Sequence, residues 1–368
     1  MSFLGELLDT QRVIITAGAG GVGKTTTAAA IALAGAIRGK RVLCMTIDPA
    51  KRLAESLGLG AMSQEAETVQ AARFEAAGVV VTGTLTCLML DPKTTFDDLI
   101  RRNATDAVHA ERILSNKLYK VLSTELAGTQ EYMAMEKLLS VRESGLYDLI
   151  VLDTPPTPNA LDFLEAPDRM AGLVDSPAVA WLVESFRNKK GFSLNILARG
   201  AQAAMKAVGS ITGAGMLEAL SELLSELNSM LGGFGARAER LRAVMRAPET
   251  SFVIVTAPRT DRLAEARYFY DKVAQFDMRC AGLVVNRVHT ADTAARAETL
   301  GAALELSAEQ QAKMQGAVAL RRGLAESDEA ALATQATWAR VPQVRIPEFA
   351  QDVYDIRALA EVAARLTA

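Results

Sequence analysis

The chain has 368 residues, half of them from the set AVILMFWYC, which is ample for a large buried core. Lys plus Arg number 40 against 43 Asp plus Glu, and aromatics are 5%, so there is neither the basic excess nor the aromatic content of a nucleic-acid binder. Cys44, Cys87 and Cys280 are widely spaced with no C-x-x-C pair, and His109 and His289 are the only histidines, which argues against a disulfide framework, a local zinc knuckle or a histidine-rich metal site.

In chain order, Val13–Thr16 is a β-branched run that ends in a glycine cluster, and Thr25–Ile37 is alanine-rich with helical period. Arg41–Ile47 and Leu85–Leu90 read as buried strands. Residues 98–141 read as helices, and Tyr147–Leu152 as a strand ending at Asp153. Residues 165–246 carry no convincing strand. Ser251–Thr256 and Ala281–Val285 are two more strands, separated by a helix near Leu263–Phe276. Val344–Ile346 is a last short strand before a helix from about Gln351 to Leu366. Strands alternating with helices predict an α/β fold: a mostly parallel sheet with helices on both faces. Residues 1–164 and 247–368 are expected to form this domain, with 165–246 an inserted helical subdomain. No run reaches about 18 consecutive apolar residues and the first residues lack a basic stretch, so a soluble cytoplasmic protein without stable membrane insertion is expected.

Gly18-Ala19-Gly20-Gly21-Val22-Gly23-Lys24-Thr25 fits G-x-x-x-x-G-K-[ST] between a predicted strand and a predicted helix. The glycines let backbone N–H groups converge on phosphate oxygens at the positive end of the helix dipole. Lys24 is expected to reach the outer phosphates and the Thr25 hydroxyl to ligate Mg²⁺. Asp153, after the apolar Leu149–Leu152, is placed as the acidic partner of the Mg²⁺ site, acting through water. Asp48 ends another strand on the same sheet edge and opens Asp48-Pro49-Ala50-Lys51-Arg52.

Together these segments resemble the ArsA-type ATPases, which include arsenite-pump ATPases and the ATPases that target tail-anchored membrane proteins, within the class that also holds the MinD and ParA proteins. Gly18–Thr27 is similar to the family's phosphate loop. The resemblance implies ATP and Mg²⁺ as ligands, with Gly20, Gly21, Val22, Gly23, Lys24, Thr25 and Thr26 at the nucleotide. Thr46-Ile47-Asp48-Pro49-Ala50 resembles switch I, which makes Asp48 the residue that orients the attacking water, beside Lys24 as the second catalytic group. Leu90-Asp91-Pro92 matches a short family motif, and Asp153-Thr154-Pro155-Pro156-Thr157 resembles switch II. Val284-Val285-Asn286-Arg287 resembles the strand end whose Asn reads adenine, so Asn286 is the candidate, and Pro347 falls in the late adenine-side loop.

The chain departs from the family at Ala19, where the class carries a second lysine that crosses a dimer interface. The resemblance implies a homodimer, or a heterodimer with an ArsA-like paralogue. Lys51 or Arg52 is a substitute cation in the first case. The cysteines do not fall where an arsenite-binding cluster would lie. Between switch II and the next strand the targeting ATPases hold an apolar groove for a client helix. Here Leu217, Leu220, Leu223, Leu224, Leu227, Met230 and Leu231 form an apolar stripe at helical spacing, which core packing explains as readily as a groove. An ATP-hydrolysing dimeric switch is the expected function. A low-turnover ATP-binding regulatory subunit is the alternative, and the long helical insertion counts against a ParA- or MinD-like positioning role.

Overall fold

The computed structural model describes residues 2–47, 66–117, 129–155, 157–174, 236–291, 306–335 and 340–368, with isolated positions between them. The chain divides into two compact units. One comprises residues 1–90, 141–164 and 245–368, and the other residues 91–140 and 165–244.

The first unit is built on an eight-stranded sheet in the order β3-β4-β2-β5-β1-β6-β7-β8. The strands are β1 (Val13–Gly18), β2 (Arg41–Thr46), β3 (Glu67–Thr68), β4 (Thr84–Met89), β5 (Leu149–Asp153), β6 (Thr250–Thr256), β7 (Cys280–Val288) and β8 (Gln343–Pro347). All pairings are parallel except that of β3 with β4. The seven-strand parallel order places β1 centrally, and every residue of β1, β5 and β6 is buried, as strands covered on both faces require. The predicted strands all recur here; β3 is additional.

Helices α1 (Phe3–Thr10) and α2 (Lys24–Ile37) flank β1 in sequence. Residues Thr27–Ala36 of α2 are all buried, because this alanine-rich helix is covered by the sheet on one side and by a C-terminal helix on the other. Short helix α3 (Ala71–Ala76) precedes β4.

Among the described residues the second unit is helical: α4 (Pro92–Asn103), α5 (Ala107–Ser115), most of α6 (Thr129–Ser144), the later part of α7 (Thr157–Val174) and the helical residues 236–244. Asp91-Pro92 opens α4: the Asp91 carboxylate accepts from the Thr94 N–H at 2.9 Å, and the proline occupies the first turn, where its missing N–H costs nothing. Inside this unit Glu136 is buried. It accepts the Arg237 guanidinium at Oε1 and Oε2, and the Tyr132 hydroxyl at 2.7 Å. Of the leucine stripe, Leu223 is described and is buried; Leu217, Leu220, Leu224, Leu227, Met230 and Leu231 lie outside the described residues.

The sheet unit ends with α8 (Thr260–Gln275), α9 (Ala308–Gln335) and α10 (Ile356–Thr367). α10 buries Ile356, Leu359, Val362, Ala363 and Leu366 at helical spacing and packs on α2. It begins five residues later than predicted, because Asp355 caps it by accepting from the Ala358 N–H at 2.7 Å. Residues 348–355 are therefore loop. No described helix is long and apolar enough to cross a membrane.

Candidate nucleotide-binding site

The glycine loop runs from the end of β1 into α2. Two of its glycines are required by contact as well as by backbone. A Cβ on Gly18 would stand 2.0 Å from the Val255 carbonyl oxygen of β6. Gly23 has φ 91, and a Cβ there would stand 2.3 Å from the Asn286 side-chain nitrogen.

Lys24 is buried in the first turn of α2, and its Nζ donates to the Ala19 carbonyl at 2.8 Å, so the ammonium lies folded over the loop. The Thr25 hydroxyl donates to Asp153 Oδ2 at 2.6 Å. Register brings the rest together: Thr46 of β2 and Thr16 of β1 both pair with Asp153 of β5. The Thr46 hydroxyl donates to Oδ2 at 3.1 Å, and that of Thr16 lies 3.5 Å from Oδ1. Asp153 is wholly buried. Thr154 ties β5 back to β1 by donating to the Thr16 carbonyl at 2.8 Å.

A cavity of about 630 Å³ adjoins the loop. It is lined by Gly21, Gly23 and Thr26 on one side, by Asn286 and Arg287, and by Pro347 and the residues after it on the other. Asn286 donates from Nδ2 to the Val22 carbonyl at 2.9 Å, which uses one of its two amide protons and closes β7 onto the glycine loop. The pairing of β7 with β8 shifts between Val285 and Val288, and Arg287 takes a left-handed φ of 61, so a bulge sits at Asn286-Arg287.

The predicted residues Gly21, Gly23, Thr26, Asn286 and Pro347 thus line one cavity, and Thr25 with Asp153 forms a hydroxyl–carboxylate pair beside Lys24. Asp48, Lys51, Arg52 and Pro156 lie outside the described residues. Ala19, at the position of the family's second lysine, is 2% exposed and belongs to the apolar cluster that contains Val22. Unforeseen from the sequence are Thr16 and Thr46, which hold Asp153, and the wall formed by Arg287, Glu348, Asp352 and Tyr354. A threonine ending a buried strand was the available signal for the first two.

The donor set suits Mg²⁺, a hard cation that takes hydroxyl and carboxylate oxygens and keeps several waters. Thr25 and Asp153 supply such oxygens within hydrogen-bond reach of each other. Cys44 and Cys87 are register partners on β2 and β4. Burial pushes both thiols up, Cys87 to about 12, and does the same to Cys280, to about 12. Cys44 and Cys87 are core groups, and Cys280 is partly exposed.

A glycine loop between a central parallel strand and a helix, with Lys24, Thr25 and a carboxylate on the next strand, defines a P-loop nucleotide-binding protein. Residues 11–317 match the anion-transporting ATPase family, and the chain belongs to that family. It is similar to the ATPase GET3 of Kluyveromyces lactis, 26% identical over 294 residues that cover 76% of this chain and 72% of that protein. It is also similar to the ATPase ARSA2 of Chlamydomonas reinhardtii, 25% identical over 286 residues, covering 75% and 67%. A third relative is the ATPase ASNA1 homolog of Cryptosporidium parvum, 26% identical over 283 residues, covering 76% and 66%. The chain is an ATPase.

Proposed function

We propose that this ATPase is a cytoplasmic dimeric switch in which ATP binding and hydrolysis rearrange the helical unit, which holds apolar protein segments. The observation that carries the nucleotide half is the convergence of Lys24, Thr25 and Asp153 beside a cavity shared by Gly23, Asn286 and Pro347. Lys24 exchanges the Ala19 carbonyl for a phosphate oxygen. Asn286 and Pro347 border the base. Thr25, and Asp153 through water, would hold Mg²⁺, which when bound would offset the charge on the transferring phosphoryl group. Asp48 orients the attacking water. The apolar-client half rests on the resemblance to the tail-anchored-protein-targeting ATPases.

A second reading, a subunit with low turnover of its own, is favoured by Ala19. Its side chain belongs to the chain's own core cluster, so position 19 offers no cation to a partner's phosphates. The cation comes from Lys51 or Arg52 in a homodimer, or from a paralogous subunit.

Phosphate release by the purified chain, with sizing in ATP and ADP, tests both. The switch reading expects Mg²⁺-dependent turnover and an ATP-dependent dimer. Asp48→Asn then binds ATP as the parent does and loses turnover by about 100-fold or more. A parent that binds ATP yet turns over no faster than Asp48→Asn supports the low-turnover reading.

A further inference from the structure

Arg287 is the one cation among the described residues lining the cavity of about 630 Å³, whose other charged lining groups are Glu348 and Asp352. Its left-handed φ of 61 is a costly conformation for a long side chain. Packing does not account for it. The side chain is 53% exposed, and its Nε lies 3.9 Å from Glu348 Oε2, a long approach for an ion pair. The bulge does account for it. Successive residues of a regular strand point to opposite faces, yet Asn286 and Arg287 both line this one cavity. The extra residue on β7 therefore brings two neighbouring residues to the same space.

A nucleotide with its phosphates on the glycine loop has its sugar and base in the remainder of the cavity, between Asn286-Arg287 and the segment from Pro347 to Tyr354. The nearest carboxylate to the guanidinium, Glu348 at 3.9 Å, belongs to that end of the cavity. A planar, permanently charged guanidinium stacks on a purine face. We propose that Arg287 is a base-contacting residue, its guanidinium lying over the purine ring. This rests on the nucleotide-site reading given above.

The test titrates the intact chain, with Mg²⁺ present, with ATP and with inorganic tripolyphosphate. Parent, Arg287→Gly and Arg287→Lys are compared, each with a thermal melt. Glycine adopts a φ of 61 without strain, so Arg287→Gly is expected to melt no lower than the parent. Its ATP affinity is expected to fall about fivefold with tripolyphosphate affinity unchanged. Arg287→Lys, which keeps the charge and loses the plane, recovers only part of the ATP loss. It carries the comparison should the glycine variant lose its melt. Parental ATP affinity in both variants overturns the proposal. An equal loss for both ligands also overturns it, because it assigns Arg287 to the phosphates. A parent that binds tripolyphosphate as tightly as ATP rejects the base contact and leaves the phosphate loop standing. A parent that binds neither ligand rejects the nucleotide site, and this inference with it.

Discussion

Asp153 in the sheet unit and Glu136 in the helical unit are both buried carboxylates, 0% and 3% exposed, and they are held by donors of different kinds. Asp153 accepts the hydroxyls of Thr25 and Thr46. Glu136 accepts a guanidinium fork from Arg237 and the hydroxyl of Tyr132. A hydroxyl is a rotor that donates one proton and accepts two, so Thr25 can turn a lone pair toward an arriving cation and leave Asp153 available to its waters. A guanidinium fork matches its carboxylate in charge and in shape. The pair on Glu136 is therefore matched in charge and shape, and the cluster on Asp153 is the one proposed above to receive a cation.

Removing one carboxylate from each cluster is the sharpest way to break this contrast. Asp153→Asn is isosteric and still accepts from Thr25, so the fold is expected to stand while phosphate release drops on the order of 100-fold or more. A variant that keeps its turnover but loses its melt puts Asp153 in the same class as Glu136. Glu136→Ala is expected to behave the other way. It leaves the Arg237 guanidinium, whose side chain is 19% exposed, without its carboxylate, at a cost of about 2–4 kcal/mol read from denaturation midpoints. Turnover per folded molecule stays at the parental level. Adding Arg237→Met recovers part of the loss, since an apolar replacement for a buried pair is often close to neutral.

The smallest expected effect separates the units by pH. Cys44 and Cys87 of the sheet unit have thiols raised from an ordinary value of 9.0, and Tyr119 and Tyr132 of the helical unit have phenols raised from 10.0, in each case mainly by burial. A raised folded value means stability that is complete below the unfolded value and is lost as pH rises toward the folded one. The sheet unit should begin to lose protection above about pH 9, and the helical unit about one unit later. Hydrogen exchange on peptides from each unit reads the order directly. Slow alkylation of Cys44 and Cys87 at pH 8, complete only after denaturation, checks the same burial. Helical peptides that open first on the alkaline side would reverse the assignment.

The glycine loop and Asp153 were legible because their spacing is fixed by the chemistry they serve: glycines where backbone must approach phosphate, and an acid directly after an apolar strand. Thr16 and Thr46 were not, since their role appears only when three strands far apart in sequence align in register on Asp153. The cavity wall from Glu348 to Tyr354 was hidden because it depends on Asp355 starting α10 five residues after the expected helix. The bulge at Asn286-Arg287 carries no glycine to announce it. The 28-residue α9 went unread because few of its residues are buried, which leaves its apolar period too thin to stand out. In the other direction, Asn286 was read as an adenine contact, and what its geometry shows is a bond to the Val22 carbonyl that ties β7 to the glycine loop.

The order of strands across the sheet has a consequence for how the protein is made. Val13 of β1 pairs with Ile150 on one side and with Thr250 on the other. The strand that carries the phosphate loop thus leaves the ribosome well before either neighbour, and its second partner comes much later than its first. At roughly 5–20 residues per second of synthesis, its buried, β-branched sequence waits on the order of ten seconds or more for its second partner. Pairings that span so much of the chain close slowly even once complete. Once β5 is made, β1 has one partner, and until β6 follows its other edge, along Val13, Ile14 and Ile15, has no strand to pair with.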